Sequence, residues 1–548
     1  MATDFKPYKT PAGMTAVAVL EEPYEYYHTH DEAPNYLGKT VLGHIIQYFV
    51  IGMLLGSISS LNGPFFATYF HMDPAQANLA KAFTAIVWSC KVGFGIVTDC
   101  FPIMGYRRKS WMVIGWTLCL ISMLVLCCKD HGAPYVPDAR LLATKRNLTA
   151  SEKAQVASPN VHAPNNGLVA AAMCGVVTVF YVMADVAADS MIVEMSLKEP
   201  DHKRGRLLAY VYGSRNLGSA LVQVMIGSFL NSPVYGGDYA WGLSVNEFFA
   251  VLTAPVALML PVVLFMLKEV HRPVVNCPQY LAEFWHMVQT RPFWQTLLYA
   301  FFFNLLSSVV FVAATPVVKY EWAEVDSLHN RWMTALSAVL NLIGLWFVSH
   351  VVNQCNWRRN IVVAMLIYVT IGATVDFFTI YNVVRSEWLT LCCGAINSIM
   401  DGVYFLSGCI INVELAQEGK EGVTYGMLTT MANVAYVFTP FIGHILMTPF
   451  TLDDEVKNEY DSPKKRYLVA VPLIIGYSCS IVACGFVLLL PKQREHIRFM
   501  KAYGGRQPVW AGLTLCICFA SVVFTAVTSI LSVFPTTRCL ALGGGTDC

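Results

Sequence analysis

The sequence has few charged residues, and this shortage excludes several classes of protein. Only 13% of the 548 residues are Asp, Glu, Lys or Arg, against about 25% in soluble domains. The net charge of +1 gives no basic surplus of the kind that binds nucleic acid. The Gly-x4-Gly-Lys-[Ser/Thr] loop is missing, which excludes a self-contained ATP-driven pump. A His/Cys cluster with metal-ligand spacing is missing too, so we expect no enzyme, no metal site and no cofactor.

The 17 cysteines do not form a disulfide framework. Most fall inside apolar runs, as Cys127, Cys128 and Cys392 do, where a cysteine behaves as a small hydrophobe. We expect Cys539 and Cys548, in the tail, to be the candidate disulfide partners.

Long apolar runs dominate what is present. Hydrophobic residues make up 55% of the chain, and the mean hydropathy is +0.50. Runs of about 20 residues are long enough to cross a hydrocarbon core of about 30 Å as helices. The sequence therefore predicts an all-α polytopic membrane protein with thirteen spans, at 41–61, 76–98, 110–128, 167–189, 206–230, 246–267, 294–314, 331–352, 360–381, 388–412, 422–447, 468–490 and 509–534.

The distribution of Lys and Arg predicts the orientation. With a cytoplasmic N-terminus, 21 of them lie in inner segments and 13 in outer ones, as the positive-inside rule requires. Residues 1–40 are polar, and we expect a soluble tail with no cleavable signal. The sequon at Asn147 then falls in an outer loop, 129–166, and predicts glycosylation there. The plasma membrane is the default location.

Two signatures recur six spans apart. "GYRRK" (105–109) returns as "NWRRN" (356–360), and "IVEMSLKE" (192–199) returns as "NVELAQEGKEG" (412–422). Two six-span halves in parallel orientation are the pattern of major facilitator transporters. The expected divisions are a cytoplasmic tail 1–40, a six-helix bundle 41–267, a cytoplasmic linker 268–293, a second six-helix bundle 294–490, a basic linker 491–508, an additional C-terminal helix 509–534 and a tail 535–548.

Four stretches of the first half resemble the folate–biopterin transporter family of the major facilitator superfamily. They are "WSCKVGFGIVTD" (88–99), "DCFPIMGYRRK" (99–109), "DVAADSMIVE" (185–194) and "RGRLLAYVYGSRNLGS" (204–219). The resemblance implies a proton-linked or facilitated carrier of pterins, folates or, in some members, S-adenosylmethionine. Such a carrier needs a small-molecule substrate and a lipid bilayer, and binds no nucleic acid.

Five charged residues near the inner ends of the spans are candidates for gating. Asp99 at a helix end can pair with the opposite half, and Arg107 and Arg108 stay at the inner surface. Glu194 and its repeat mate Glu414 would cap or bridge the same region. Breaking such contacts would let the halves rock. The alternative is that the arginines only anchor the topology.

Lys91 and Arg215 lie deep within predicted spans. A charge there costs at least ~2.5–3.5 kcal/mol unless it faces water or a partner. Trp88 shares a helix face with Lys91, and Asp185 shares one with Asp189. These residues are candidates for substrate binding: the cations for carboxylates, Trp88 for stacking and the acids for a pterin edge. The alternative is that the cations pair with the acids to hold the bundle together.

Proton coupling has two candidate residues. Asp401 lies in mid-span 10, with no basic residue near its depth in that half. Asp189 can also carry a proton, because low dielectric favours a neutral carboxyl. Packing with Asn397 and Ser398 is the alternative role of Asp401.

The leading hypothesis is alternating-access transport of folates or pterins. One alternative is a carrier of S-adenosylmethionine or another nucleoside-like metabolite, for which the acids would be the main contacts. The other is a membrane receptor or scaffold that does not transport.

Overall fold

The structure is a computed structural model that describes residues 33–77, 79–143, 149–272, 275–309, 314–352, 355–447, 450, 456 and 459–531. These residues fold into α-helices joined by short loops, and within these ranges the only β-structure is two isolated bridges. Helices pair the backbone polar groups of their interior turns internally, as apolar surroundings require. The all-α prediction is confirmed.

Among the residues that the structure describes, helices occupy each of the thirteen predicted positions. We number the main helices α1 (Lys39–Ser60), α2 (Leu79–Ser89), α3 (Lys91–Cys100), α4 (Lys109–Cys128), α5 (Ala163–Leu197), α6 (Arg206–Phe229), α7 (Val245–Met266), α8 (Cys277–Val288), α9 (Arg291–Ser307), α10 (Ser327–Phe347), α11 (Trp357–Ile380), α12 (Glu387–Leu415), α13 (Glu421–Met447), α14 (Pro463–Phe486), α15 (Arg494–Tyr503) and α16 (Pro508–Leu531). Shorter helical segments cover Asn62–Tyr69, Pro74–Ala77, Arg140–Ala143, Ala150–Ala157, Pro233–Tyr235, Ala314–Pro316, Val317–Trp322, Val348–Val352 and Val487–Leu489.

Nine helices of the described chain are long and apolar enough to cross a bilayer. A tenth candidate is the pair α2–α3, which is bent by 46°. Two details differ from the sequence prediction. The second span is broken at Cys90 rather than continuous, and α5 runs on to Leu197, eight residues beyond the predicted end at residue 189.

The helices pack as two groups. In the N-terminal half (α1–α7), α6 packs on α1, and α4 packs on both α5 and α7. In the C-terminal half (α9–α14), α12 packs on α10 and α11, and α9 packs on α13 and α14. The two halves meet along a seam where α6 faces α10 and α3 faces α13. The last helix, α16, packs on α2 of one half and on α9 and α13 of the other.

Candidate functional site

The break between α2 and α3 is held by the opposite half. The backbone N–H of Val92 donates to the Thr430 hydroxyl at 3.2 Å, and the Asn433 amide donates to the Trp88 carbonyl at 3.0 Å. In an unbroken helix, Val92 N–H would bond the Trp88 carbonyl, four residues earlier. Two polar side chains of α13 therefore replace one helical bond, and the break places Lys91 at the first position of α3.

Lys91 bonds two acids of α5 at once. Its Nζ lies 2.7 Å from an oxygen of Asp185 and 2.7 Å from an oxygen of Asp189. All three side chains are at most 5% exposed. The two acids converge because residues four apart share one helix face. We call these three residues the Lys91 cluster. Trp88 lies next to this cluster, with the centre of its ring 4.5 Å from the Nζ of Lys91.

Two tyrosines from other helices also bond Asp189. The hydroxyl of Tyr48 on α1 donates to it, and that of Tyr212 on α6 lies 3.2 Å from the same oxygen. Tyr212 also bonds Tyr425 on α13 across the seam. Sequence reasoning missed Tyr48 and Tyr425. The signal for Tyr48 was present, because His44, Gln47 and Tyr48 repeat on one face of an otherwise apolar run.

Arg215 contacts aromatic rings. Its guanidinium lies 4.6 Å from the centre of the Tyr212 ring and 5.6 Å from that of Phe405 in the opposite half. Within the described ranges, no carboxylate oxygen lies within 4.0 Å of it, whereas Lys91 has two. The sequence left open that both cations pair with the acids to hold the bundle together. The structure shows this pairing for Lys91 and not for Arg215.

Close packing of α1 on α6 fixes the backbone of Arg215. A Cβ built on Gly52 would lie 1.9 Å from the Arg215 carbonyl oxygen, and one built on Gly218 would lie 2.0 Å from that of Phe49. Small residues allow helix backbones in membranes to approach this closely. The glycines therefore determine where the guanidinium sits.

A second ionic cluster joins the halves at the end of α3. Arg108 bonds Glu194 of its own half and Glu421 of α13, the latter at 2.6 Å. Both Arg108 and Glu421 are buried. Arg107 donates to the Asp99 carbonyl at 2.9 Å. We call these five residues the Arg108 cluster.

Asp99 is bound from two other directions. Its carboxylate accepts from the backbone N–H of Val423 at 3.0 Å and from the hydroxyl of Tyr280 at 2.7 Å. Burial, with the neighbouring Asp99 carboxylate, raises the pKa of Tyr280, so the phenol remains a donor. Backbones also meet here, since a Cβ on Gly95 would lie 2.5 Å from the Gly422 carbonyl oxygen. The end of α3 and the start of α13 are thus tightly joined.

Glu414 lies in a separate group. It pairs with Arg204 at 3.0 Å and with Arg494 of α15 at 2.7 Å. Arg204 belongs to the loop before α6, so Glu414 also links the two halves. Each of the two repeat signatures therefore has, as its third residue, an acid that binds arginine, although the arginine partners differ.

The remaining polar candidates lie on helices of the C-terminal half. Asp401 lies three residues before Tyr404 on the same helix, and its side chain is partly buried. Asn304 donates to the Ala300 carbonyl and accepts from Tyr436 at 2.9 Å. The predicted sites at Asn147, Cys539 and Cys548 lie outside the described residues. Across the ranges that are described, no group of three or more His, Cys, Asp and Glu side chains could hold a metal ion.

Two family models match the chain. The Major Facilitator Superfamily matches residues 325–543, and the BT1 family matches residues 52–157. The first match covers most of the C-terminal half and the second covers the region of Trp88, Lys91 and Arg108. A different family therefore matches part of each half.

Known proteins agree with these matches. Folate transporter 1 of Plasmodium falciparum is 33% identical over 12% of this chain and 13% of its own length. The folate-biopterin transporter of Synechocystis sp. is 20% identical over 73% of each chain. A crystal structure of a D-xylose-proton symporter has a TM-score of 0.56 at 13% identity, covering 84% of this chain and 99% of that one. Its low identity shows the fold alone, so the major facilitator fold is confirmed. The resemblance stated from the sequence is confirmed as well: parts of the chain are similar to folate–biopterin transporters and to the major facilitator superfamily.

Proposed function

We propose that this integral membrane protein is a secondary active or facilitative transporter of folates or pterins that works by alternating access. One observation carries the proposal above all others: Lys91 Nζ bonds two buried carboxylates, each at 2.7 Å, beside the seam between the halves. Buried charges inside a membrane protein mark substrate or ion pathways. The family relatives supply the substrate class.

The geometry of the Lys91 cluster supports the replacement of a protein carboxylate by a substrate carboxylate at Lys91. Folates carry carboxylates, and a substrate carboxylate that approaches Lys91 competes with Asp185 and Asp189 for the same ammonium group. Arg215 already faces the seam through Tyr212 and Phe405, and supplies a second positive charge. Trp88, 4.5 Å from Nζ, can stack on a flat ring.

Exchange at Lys91 would be transmitted to the seam through the broken helix. The same break that positions Lys91 is bonded to Thr430 and Asn433 of the opposite half. An ion pair that opens on binding changes the free energy of these bonds, and so biases one arrangement of the halves over the other.

The Arg108 cluster would be the gate. With the N-terminus in the cytoplasm, Asp99, Arg107, Arg108 and Glu194 lie at the cytoplasmic side, as does Glu414 in its separate group. Arg108 and Glu421 then hold that side closed, and opening to the cytoplasm requires these bonds to break.

Proton coupling would use Asp189 first. A substrate carboxylate that displaces Asp189 from Lys91 leaves Asp189 without its cation, and a proton can take the place of that cation. Tyr48 and Tyr212 already bond this carboxylate. Asp401, half-buried on α12, is the second candidate. The domain boundaries, the plasma membrane location, glycosylation at Asn147 and the Cys539–Cys548 pair stand as further proposals.

Uptake into proteoliposomes tests the function. Labelled folate, biopterin and S-adenosylmethionine are offered with and without an inward proton gradient. Wild type is compared with Lys91→Ala, with Asp189→Asn and with the outer-loop control Lys153→Ala. We expect folate or biopterin uptake that Lys91→Ala abolishes and Lys153→Ala retains. Uptake of S-adenosylmethionine that needs Asp189 and tolerates Lys91→Ala would assign a different substrate. Binding without accumulation, in folded protein, would indicate a receptor.

A further inference from the structure

A cavity of about 190 Å³ lies among α9, α12 and α13 of the C-terminal half. Its wall combines phenol rings with side-chain amides. These rings and amides belong to Tyr299, Tyr404, Tyr436, Asn304, Asn412 and Asn433. Ligand sites of drug size are usually ~300–1,000 Å³. The cavity is therefore large enough for part of a ligand, such as a bicyclic ring, and too small for a whole folate.

The amides leave hydrogen-bonding capacity facing the space. Asn412 lines the cavity and has no hydrogen-bond partner within the described part of the chain. An amide side chain offers two donors and two acceptor positions. Tyr436 donates to Asn304 and so fixes the orientation of one phenol at the wall. Such a wall matches the alternating donors and acceptors along the edge of a pterin.

Gly408 leaves one side of the cavity open. A Cβ built there meets no atom within 4 Å. The neighbouring Phe405 also lines the cavity and reaches the N-terminal half, where its ring meets that of Tyr212 edge-on at 5.1 Å. Arg215 lies 5.6 Å from the same Phe405 ring. The cavity therefore has a cation at its border with the other half.

The cavity is also connected to the Lys91 cluster. Asn433 lines it and donates to the Trp88 carbonyl at 3.0 Å. A ligand in the cavity would thus contact the residue that holds the break before Lys91. The acids of the cluster are already bonded to Lys91, Tyr48 and Tyr212, and are less available to a heterocycle.

We infer that this cavity binds the flat, hydrogen-bonding heterocycle of the substrate, while Arg215 and Lys91 take its anionic end. The inference rests on the proposed function and refines it. The sequence hypothesis placed the pterin edge against Asp185 and Asp189, whereas this inference places the ring in the cavity of the C-terminal half. Tyr404 and Tyr436 supply aromatic contact, and Asn412 and Asn433 read the ring edge.

Competition by two compounds against the uptake of labelled folate separates the two ends of the ligand. Biopterin has the ring without a glutamate tail, and p-aminobenzoylglutamate has the tail without the pterin. The test variant is Gly408→Leu, which fills the cavity. The control is Gly394→Leu on the same helix, where an added Cβ also meets no atom within 4 Å but which does not line the cavity. We expect Gly408→Leu to weaken inhibition by biopterin at least about tenfold, or ~1.4 kcal/mol, and to leave inhibition by p-aminobenzoylglutamate unchanged. Gly394→Leu should change neither.

Each other outcome is decisive. Equal loss of both inhibitors, or no change in either, overturns the assignment of the ring while leaving the transport function intact. If wild type takes up neither folate nor biopterin, the proposed function fails and this inference fails with it. If Gly408→Leu does not elute as a folded monodisperse protein, Gly408→Ala and Asn412→Leu replace it. Their selective loss of biopterin inhibition is then the expected result, and unchanged inhibition overturns the inference.

Discussion

The side-chain amide of Asn433 donates to the backbone carbonyl of Trp88 across the seam, at 3.0 Å. The two residues are 345 positions apart and belong to opposite halves. With the bond from Val92 to Thr430, this contact makes the shape of one half depend on its position against the other. Three residues lie between the two bonded positions, and one of them, Lys91, holds both buried acids.

Thr430→Val tests this dependence, because it removes the hydroxyl that accepts from Val92 and keeps the shape of the side chain. We expect a loss of about 0.5–1 kcal/mol in unfolding free energy, typical of hydrogen bonds between membrane helices. We also expect a changed rate of uptake, since the lost bond crosses the seam. Denaturant unfolding in detergent and initial uptake rates measure the two effects.

Thr439→Val is the matched control on the same helix, since the Thr439 hydroxyl bonds the Ala435 carbonyl within α13. Its uptake rate should equal that of wild type. A Thr430→Val protein with an unchanged uptake rate would show that the break in α2–α3 is only structural.

Neutralising the Lys91 cluster should separate stability from transport. Lys91→Ala alone leaves two buried carboxylates without their cation, and we expect it to cost about 3–5 kcal/mol. Adding Asp185→Asn and Asp189→Asn removes those charges, so the triple variant should recover most of the lost stability. It should still not transport. Melting temperature in detergent and folate uptake are the two measurements, and a triple variant no more stable than Lys91→Ala would refute the pairing.

The buried pair of Arg108 and Glu421 should contribute more to stability than an exposed ion pair nearby. Glu421→Gln weakens a charged bond of 2.6 Å, and we expect a loss of about 1.5–3 kcal/mol. Hydrogen exchange over residues 419–424 should accelerate as the seam opens. Glu283, 48% exposed and bonded to Lys420 at 2.9 Å, provides the control, and Glu283→Gln should cost only about 0–1 kcal/mol. Equal exchange rates in the two variants would argue against a gate at Arg108.

Asp461 should make the free energy of unfolding depend on pH in the acid range. Hydrogen bonds from Arg466, with the charge of Arg385, hold the pKa of Asp461 below its ordinary value of 3.8. Because the folded-state pKa is depressed, the stabilisation is present above pH 3.8 and is lost as the pH falls through the folded value. Asp461→Asn should therefore lower stability at neutral pH by about 0.2–1 kcal/mol and flatten the acid limb of an unfolding titration. Asp238, whose side chain is 88% exposed, is the control; an identical flattening in Asp238→Asn would exclude Asp461 as the cause.

The sequence predicted what depends on local pattern. Runs of apolar residues predicted the helices, and the four-residue spacing of Asp185 and Asp189 predicted that they share a face. The cost of a charge at the depth of Lys91 predicted that it would have a partner. The resemblance of residues 88–109 predicted the similarity to folate–biopterin transporters.

Other features depend on contacts between distant segments. The break at Cys90 has neither Pro nor Gly at that position, and its bonds come from α13, so local propensity did not indicate it. Glu421 was also missed. It lies seven residues after Glu414, the acid that the internal repeat indicated, and only the packing of α3 on α13 brings it to Arg108. The cavity at Gly408 likewise requires three helices to be placed before it exists.

The glycines at positions 52 and 218 have a consequence for natural variation in this chain. A single methyl group at either position would meet a carbonyl oxygen at about 2 Å, so α1 and α6 would have to separate and shift the Arg215 guanidinium relative to Phe405 of the opposite half. An alanine there is a mild change by chemistry and polarity. A chain carrying it would nevertheless have the cation at the border of the cavity displaced, although every charged residue was intact.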